Sequence, residues 1–504
     1  MSTSTLSHHR GNRSVDWATI ASVGIAALTG WAISRSNLLL ALLPTVSIVG
    51  LSLLTRLSLV GWCVVFLLLS VGSRGVVVVL GLPELFNFVH YPAVVAFAIV
   101  ASQRPRLESA RLPASRWLTG LVLLVSISSI ANWTNPLRAL LFLVIVGEPI
   151  VLLWAIQRWG VDDDTERRVG GVAIVGLLLQ IPLGLWQGSK GGWQDAVQGT
   201  MVGFGAGAHT LGGLFALGLF VWLASIVAGR RAWPTAPIAG AVSFGMMGAA
   251  GASQVLFLAG AALPIVALLP NPQLPIQRGR RGPGITTSQK VLVATVSTVF
   301  LIAGPLLADY FSPGVLSRAV GLATSSHPEE IVLAQERARS SPLQFIVGSG
   351  PGTTSSRAAL LLTPSYVKPG SMFAKIPLEP TALALHYSQQ SQVLNIGSAE
   401  DPQSGMLGII GDLGMLGLCC AIFMLFGMYR ASRRMENWLS PAVAAALIMV
   451  FGLSFFDNWL EYPEFTIPLA ILIGFGTTGR LKSTKGRGGG PTTARRLSAN
   501  PRGA

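Results

Sequence analysis

Residues 137–156 read LRALLFLVIVGEPIVLLWAI, a run of twenty positions in which only Arg138 and Glu148 are charged. A helix of that length spans about 30 Å, the hydrocarbon thickness of a bilayer. The run is too long for a strand and too uniformly apolar for one side of a soluble helix. It is one of many. Further apolar blocks lie at roughly 17–34, 37–54, 57–72, 86–102, 117–133 and 169–187. The series continues at 209–227, 236–251, 254–270, 291–309, 404–428, 440–456 and 463–478. In lipid every backbone polar group must find a partner within the protein, so each block is expected to be a helix. The expected fold is an all-α polytopic membrane protein with about fourteen spans (twelve to fourteen). Val76–Leu80 is too short to cross and is either re-entrant or part of a longer bent span.

Composition supports lipid as the solvent. Of the 504 residues, 51% are hydrophobic and 11% charged, against about 25% charged in soluble domains. The net charge of +15 does not indicate nucleic-acid binding, because the basic residues collect in short loops and at the two ends. The three cysteines, Cys63, Cys419 and Cys420, all fall inside apolar blocks, with neither a disulfide framework nor a zinc spacing. The first apolar block lacks an A-x-A cleavage site, so it is expected to remain as a span.

Charge sets the expected orientation. Arg104, Arg106, Arg111 and Arg116 form one basic segment, followed by Arg230–Arg231 and by Arg278, Arg280 and Arg281. Arg430, Arg433, Arg434 and the tail from Arg480 complete the set. With fourteen spans these clusters share one side, which the positive-inside rule makes cytoplasmic. The expected layout is a cytoplasmic N-terminus (1–16), a first bundle (17–309), a large extracytoplasmic loop (310–403), a second bundle (404–478) and a disordered basic cytoplasmic tail (479–504). The chain is expected in the inner or plasma membrane with both termini cytoplasmic.

The loop 310–403 is far longer than a simple connection. Within it Glu329–Arg339 is expected to be helical, with Ser326 and Glu329 at capping-box spacing. Ile331, Ala334 and Ala338 share one face, which suits a helix lying on the membrane surface.

Four stretches carry residues suited to chemistry. PLQFIVGSGPG, 342–352, places Gly348, Gly350 and Gly352 where a tight turn aims backbone N–H groups at an anion, or forms an ordinary turn. SGMLGIIGDLGMLGL, 404–418, repeats glycine every three residues around Asp412, a pattern that lets helices pack closely. GTMVGFGAGAHTLGG, 199–213, carries His209, read either as a hydrogen-bonded interface residue or as a ligand-binding one. Glu148 lies in IVGEPIV with Arg138 half a span away, a structural ion pair or a catalytic group.

The order of these parts resembles the superfamily of O-antigen ligases and O-antigen polymerases, which are polytopic membrane glycosyltransferases. Gly203–Leu214 resembles the glycine-led span of that family. Ala252–Gln254 resembles its small serine-containing turn, with glutamine in place of arginine. Pro342–Gly350 resembles its P-L-x-G-x-G segment, and Asp412, Gly414 and Gly417 resemble E-x-G-x-x-G, with aspartate for glutamate. The similarity covers roughly residues 170–430. The positions of the ligases' His-Asn pair hold Gln403 and Ser404, with Asp401 nearby, and His327 stands where an arginine is expected.

The resemblance implies a GT-C-like fold and glycosyl transfer in cell-envelope polysaccharide biosynthesis. The donor would be a saccharide on a polyprenyl diphosphate such as undecaprenyl diphosphate, and the acceptor a glycan or another molecule. No cofactor, metal or nucleic acid is implied. Arg318, Arg337, Arg339, Lys375 and His327 are the candidates for the diphosphate, with Gly348, Gly350 and His209 as further binding positions. Asp401, Ser404 and Asp412 are the catalytic candidates on the acceptor side. Two other classes stay open: a lipid-linked sugar or polysaccharide transporter, and a non-catalytic scaffold of envelope assembly.

Overall fold

The computed structural model describes residues 56–82, 84–104, 113–193, 196–202, 207–228, 230 and 235–268. It further describes 341–354, 356–363, 378–381, 405–434, 437–455 and 457–478, with single positions 291, 295, 298 and 385. Every regular element among these residues is helical. Six helices are long and apolar enough to cross a membrane and five shorter apolar helices accompany them. The expected spans 17–34 and 37–54 and the expected helix Glu329–Arg339 lie outside the described residues, as does nearly all of the expected span 291–309.

The elements begin with α1 (Leu59–Leu80), α2 (His90–Ser102), α3 (Pro113–Ala131), α4 (Pro136–Trp159) and α5 (Asp163–Gly191). They continue with α6 (Gly207–Val227), α7 (Thr235–Ala249) and α8 (Ser253–Leu268). Two short helices follow, α9 (Pro342–Val347) and α10 (Arg357–Leu360). The last three are α11 (Gly405–Arg434), α12 (Ser440–Leu453) and α13 (Pro463–Thr477).

Local signals set the helix ends. Asn135 accepts a hydrogen bond from the Leu137 N–H at 2.9 Å with Pro136 in the first turn, and Asp162 accepts from the Thr165 N–H at 2.7 Å. The Val76–Leu80 stretch belongs to a bent span. A π-turn at Leu68–Gly72 joins Leu59–Leu67 to Ser73–Leu80. The Val71 carbonyl within it accepts from Thr200 Oγ1 at 2.7 Å, the kind of side-chain substitution such turns invite.

Side-chain bonds fix an alternating up-and-down arrangement. At one end Arg158 donates to the carbonyls of Ala101, Ser102 and Arg104. Gln157 donates to Thr477 Oγ1 at 2.8 Å, and Asn437 donates to the Phe475 carbonyl at 2.6 Å. Glu166 accepts from both Arg230 and Trp438. The C-terminal ends of α2, α4, α6 and α13 therefore lie with the N-terminal ends of α5 and α12. At the opposite end the Gly405 and Met406 N–H groups donate to the Asp457 and Ser454 carbonyls, and Arg74 bonds Glu464.

α6 is buried along most of its length and forms the centre. Gly213 leaves room for Trp459 and Phe465, whose rings sit edge to face at 4.9 Å, and Gly212 leaves room for Ala252. α3 and α5 instead expose Val122, Leu123, Ile127, Val175, Leu178 and Leu179. Such a surface suits a lipid bilayer. Association of helices in lipid rests on close packing and internal hydrogen bonds, because leaving lipid gives no hydrophobic gain.

Candidate functional site

The site is built where the glycine turn expected from the sequence meets α11. α11 is two half-helices joined at Gly414, whose φ of 68° and ψ of −166° break the helix. The span expected at 404–428 is present, and the break lies within it. A reversed φ at glycine costs little. The break opens the carbonyls of Gly411 and Asp412 to outside donors. The Ser349 N–H donates to the Gly411 carbonyl at 2.8 Å, and the Gly350 N–H to the Asp412 carbonyl at 3.2 Å.

Asp412 secures the same segment with its side chain. Its Oδ2 accepts from the Gly352 N–H at 2.9 Å. Its Oδ1 accepts from the Thr353 N–H at 3.2 Å, the Thr354 N–H at 2.8 Å and the Thr354 hydroxyl. The residue is 0% exposed. A buried carboxylate is tolerated where donors take its lone pairs, and here four do. The glycines make the approach feasible. Gly348 has φ 79°, and a Cβ there would overlap the Asp412 carbonyl; a Cβ at Gly414 would overlap the Ile346 carbonyl. The glycine repeat at 405–417 was expected to seat a neighbouring helix. Gly414 seats the end of helix α9 at Ile346, Gly411 seats Thr354, and Gly405 seats the turn at Asp457 and Asn458.

α3 and α4 complete the enclosure. Asn132 donates to the Gly348 carbonyl at 2.9 Å, and the Ser128 hydroxyl to the Asp412 carbonyl at 3.2 Å. Arg138 Nη1 donates to the Gly352 carbonyl at 3.0 Å and Nη2 to the Glu379 carbonyl at 2.5 Å. Beneath the polar layer Ala358 of α10, Leu361 just beyond its end and Leu413 of α11 pack with Leu124, Phe142 and Ile145.

A set of buried charges adjoins this interlock. The Arg357 N–H donates to Glu461 Oε2, and its Nη1 donates to the Glu461 carbonyl at 3.1 Å. Glu461 lies in the turn between α12 and α13, where burial pushes its carboxyl group up to about 7 against the donation from Arg357. Arg74 Nε bonds Glu464 Oε1 at 2.5 Å. His90 Nδ1 and Glu148 Oε1 are 2.6 Å apart. Glu148 is therefore paired with His90, not with Arg138 as the sequence spacing had suggested.

Of the sequence candidates, Gly348, Gly350 and Asp412 come together in the interlock. His209 sits in the first turn of α6, partly buried. Arg318, His327, Arg337, Arg339, Lys375, Asp401 and Ser404 lie outside the described residues. Sequence reasoning missed Arg74, His90, Glu461 and Glu464. Their one signal was a charged or titratable residue within or beside an apolar block, a costly feature that generally marks function. Among the described residues no group of three His, Cys, Asp or Glu side chains is arranged to hold a metal ion. No protein-family model and no curated protein matches the chain.

Proposed function

We propose that the chain is a membrane glycosyltransferase of the O-antigen ligase and polymerase kind, transferring or polymerising saccharides carried on a polyprenyl diphosphate. One observation carries the reading. Two of the four segments that carry the resemblance, Pro342–Gly350 and Asp412–Gly417, are bonded into a single unit, although about sixty positions apart in sequence. Arg138 and Arg357, both buried cations, stand beside it.

In the proposed reaction an acceptor hydroxyl oxygen attacks the anomeric carbon of the donor. The bond from that carbon to the diphosphate oxygen breaks and its electron pair leaves with the diphosphate. Guanidinium and ammonium groups stabilise the departing charge. We assign this role to Arg318, Arg337, Arg339 and Lys375, with His327 beside them, and assign Asp401 and Ser404 to the acceptor. Asp412 has its oxygens occupied by four donors, so its role here is to hold the Gly348–Thr354 segment in place. The hydroxyl's proton passes to a base on the acceptor side.

The positive-inside rule supports placing the reaction on the outer face. Arg104, Arg158, Arg230 and Arg430 lie at the helix ends opposite the interlock, which supports reading that end as cytoplasmic. A second reading is a transporter of a lipid-linked saccharide. The break at Gly414 favours it, because discontinuous helices with buried charges line many transport sites.

The test is turnover of a polyprenyl-diphosphate oligosaccharide by purified protein, comparing wild type with Arg318→Ala and Arg337→Ala. Product from wild type, with a loss on the order of a hundredfold in at least one variant, is expected. Folded wild type that yields no product from such donors, yet moves them across vesicle membranes, would establish the transporter instead.

A further inference from the structure

Among the described residues the charges beside the interlock do not balance. Glu464 is held by Arg74, and Asp412 lies opposite Arg138. Arg357 lies within electrostatic reach of Glu148, Glu461 and Glu464. Among the described residues three guanidinium groups thus face four carboxyl groups, with the His90 imidazole as a further basic side chain bonded into the set. All four carboxyl groups are buried. With His90 neutral and every carboxyl ionised, the set carries one uncompensated negative charge away from water, a strongly unfavourable arrangement. One bound proton removes it.

The contacts narrow where that proton rests. Glu464 has a guanidinium at 2.5 Å and Asp412 accepts from four donors, which leaves Glu148, with the basic His90 imidazole beside it at 2.6 Å, and Glu461. The Glu461 carboxylate accepts from the Arg357 backbone N–H, while the Arg357 guanidinium donates to the Glu461 backbone carbonyl instead. Among the described residues no cationic side chain lies within 4.0 Å of the Glu461 carboxylate.

The remaining described elements around this turn add little charge. α12 carries no titratable side chain, and α6 carries His209 alone. Tyr91 on α2 faces the same carboxylates. Asp457, on the same turn as Glu461, is partly exposed and accepts from the Tyr462 hydroxyl at 2.7 Å.

We propose that this network is a proton-binding site that holds one exchangeable proton on the Glu461 carboxyl group. The proposal stands independently of glycosyl transfer. Burial and the neighbouring Asp412 both push the Glu461 carboxyl group upward, to about 7, so the proton leaves near neutrality. Its loss places a full negative charge against the Arg357 N–H, at the end of the segment that Asp412 pins. The seating of that segment therefore responds to pH.

Infrared difference spectroscopy on the full chain in lipid nanodiscs, scanned from about pH 5 to about pH 9, tests this directly. The expected result is a protonated-carboxyl stretching band that vanishes as pH rises through about 7 and is missing from Glu461→Gln. A second measurement needs no variant: isotope-labelled glutamate in the wild-type chain is expected to shift the band. A band that stays in place with labelled glutamate, persists in folded Glu461→Gln, or never titrates in that range would overturn the proposal.

Discussion

Gly348 and Asp412 are in direct backbone contact, with a left-handed φ of 79° on one side and a buried carbonyl on the other. No side chain fits between them. The whole 346–354 segment is positioned by that contact, and with it the seat of Arg138 and Arg357.

Gly348→Ala is therefore expected to destabilise sharply. The positive φ with an extended ψ of −177° alone costs about 1–3 kcal/mol for a residue with a Cβ, and the overlap with Asp412 adds to it. Gly176→Ala is the control: it lies in α5 with nothing within 4 Å of its Cβ position, and gains up to about 1 kcal/mol from helix propensity. Thermal melts of both variants in detergent should move in opposite directions.

Asp412→Asn keeps size and shape but turns an amide NH2 toward backbone N–H donors. Losing charged hydrogen bonds at a buried site is expected to cost about 3 kcal/mol. Limited proteolysis should then cut within 346–354, a segment expected to resist cleavage in the wild type.

Glu461 gives the pH dependence a sign. Its carboxyl group rises from 4.5 to about 7 on folding, so the folded state holds the proton more tightly than the unfolded one. The contribution is fully present below about pH 4.5 and lost as pH climbs through about 7, a span worth up to about 3 kcal/mol. Melting temperature should fall from pH 5 to pH 8 by more in wild type than in Glu461→Gln. Equal slopes would count against it.

Arg74→Leu strands a buried carboxylate on Glu464 and should cost about 3–5 kcal/mol. Arg74→Leu with Glu464→Leu removes both charges and should recover most of the loss. A double variant no better than the single one would mean that the pair does not act as a unit.

How much of this was legible depends on distance along the chain. The run 137–156 became α4, and 209–227 became α6, because an apolar block of spanning length carries its own signal. The bend in α1 was half legible: Gly72, Ser73 and Arg74 interrupt the apolar run, but the backbone continues through a π-turn. The break at Gly414 was hidden, since a glycine every third residue reads equally as a packing face. Asp412 and the turn at 348–352 were both visible, but not their union. The network was hidden for a similar reason: Arg74 and Glu464 are 390 positions apart, and nothing local in either stretch announces the other.

The docking of the 348–354 segment into α11 underlies every assignment above, and a cross-link tests it most directly. A Cβ placed on Gly411 lies 3.0 Å from the Thr354 Cβ, closer than the separation of about 3.5–4.5 Å found across a disulfide, so a small outward shift of the two residues lets the bond form. Gly411→Cys with Thr354→Cys, in a chain with Cys63, Cys419 and Cys420 replaced by alanine, should oxidise spontaneously. With a protease site inserted after Ser391, the cut halves should stay joined on a non-reducing gel and separate on reduction. Halves that separate without reductant, from a protein that elutes as folded, would contradict the account.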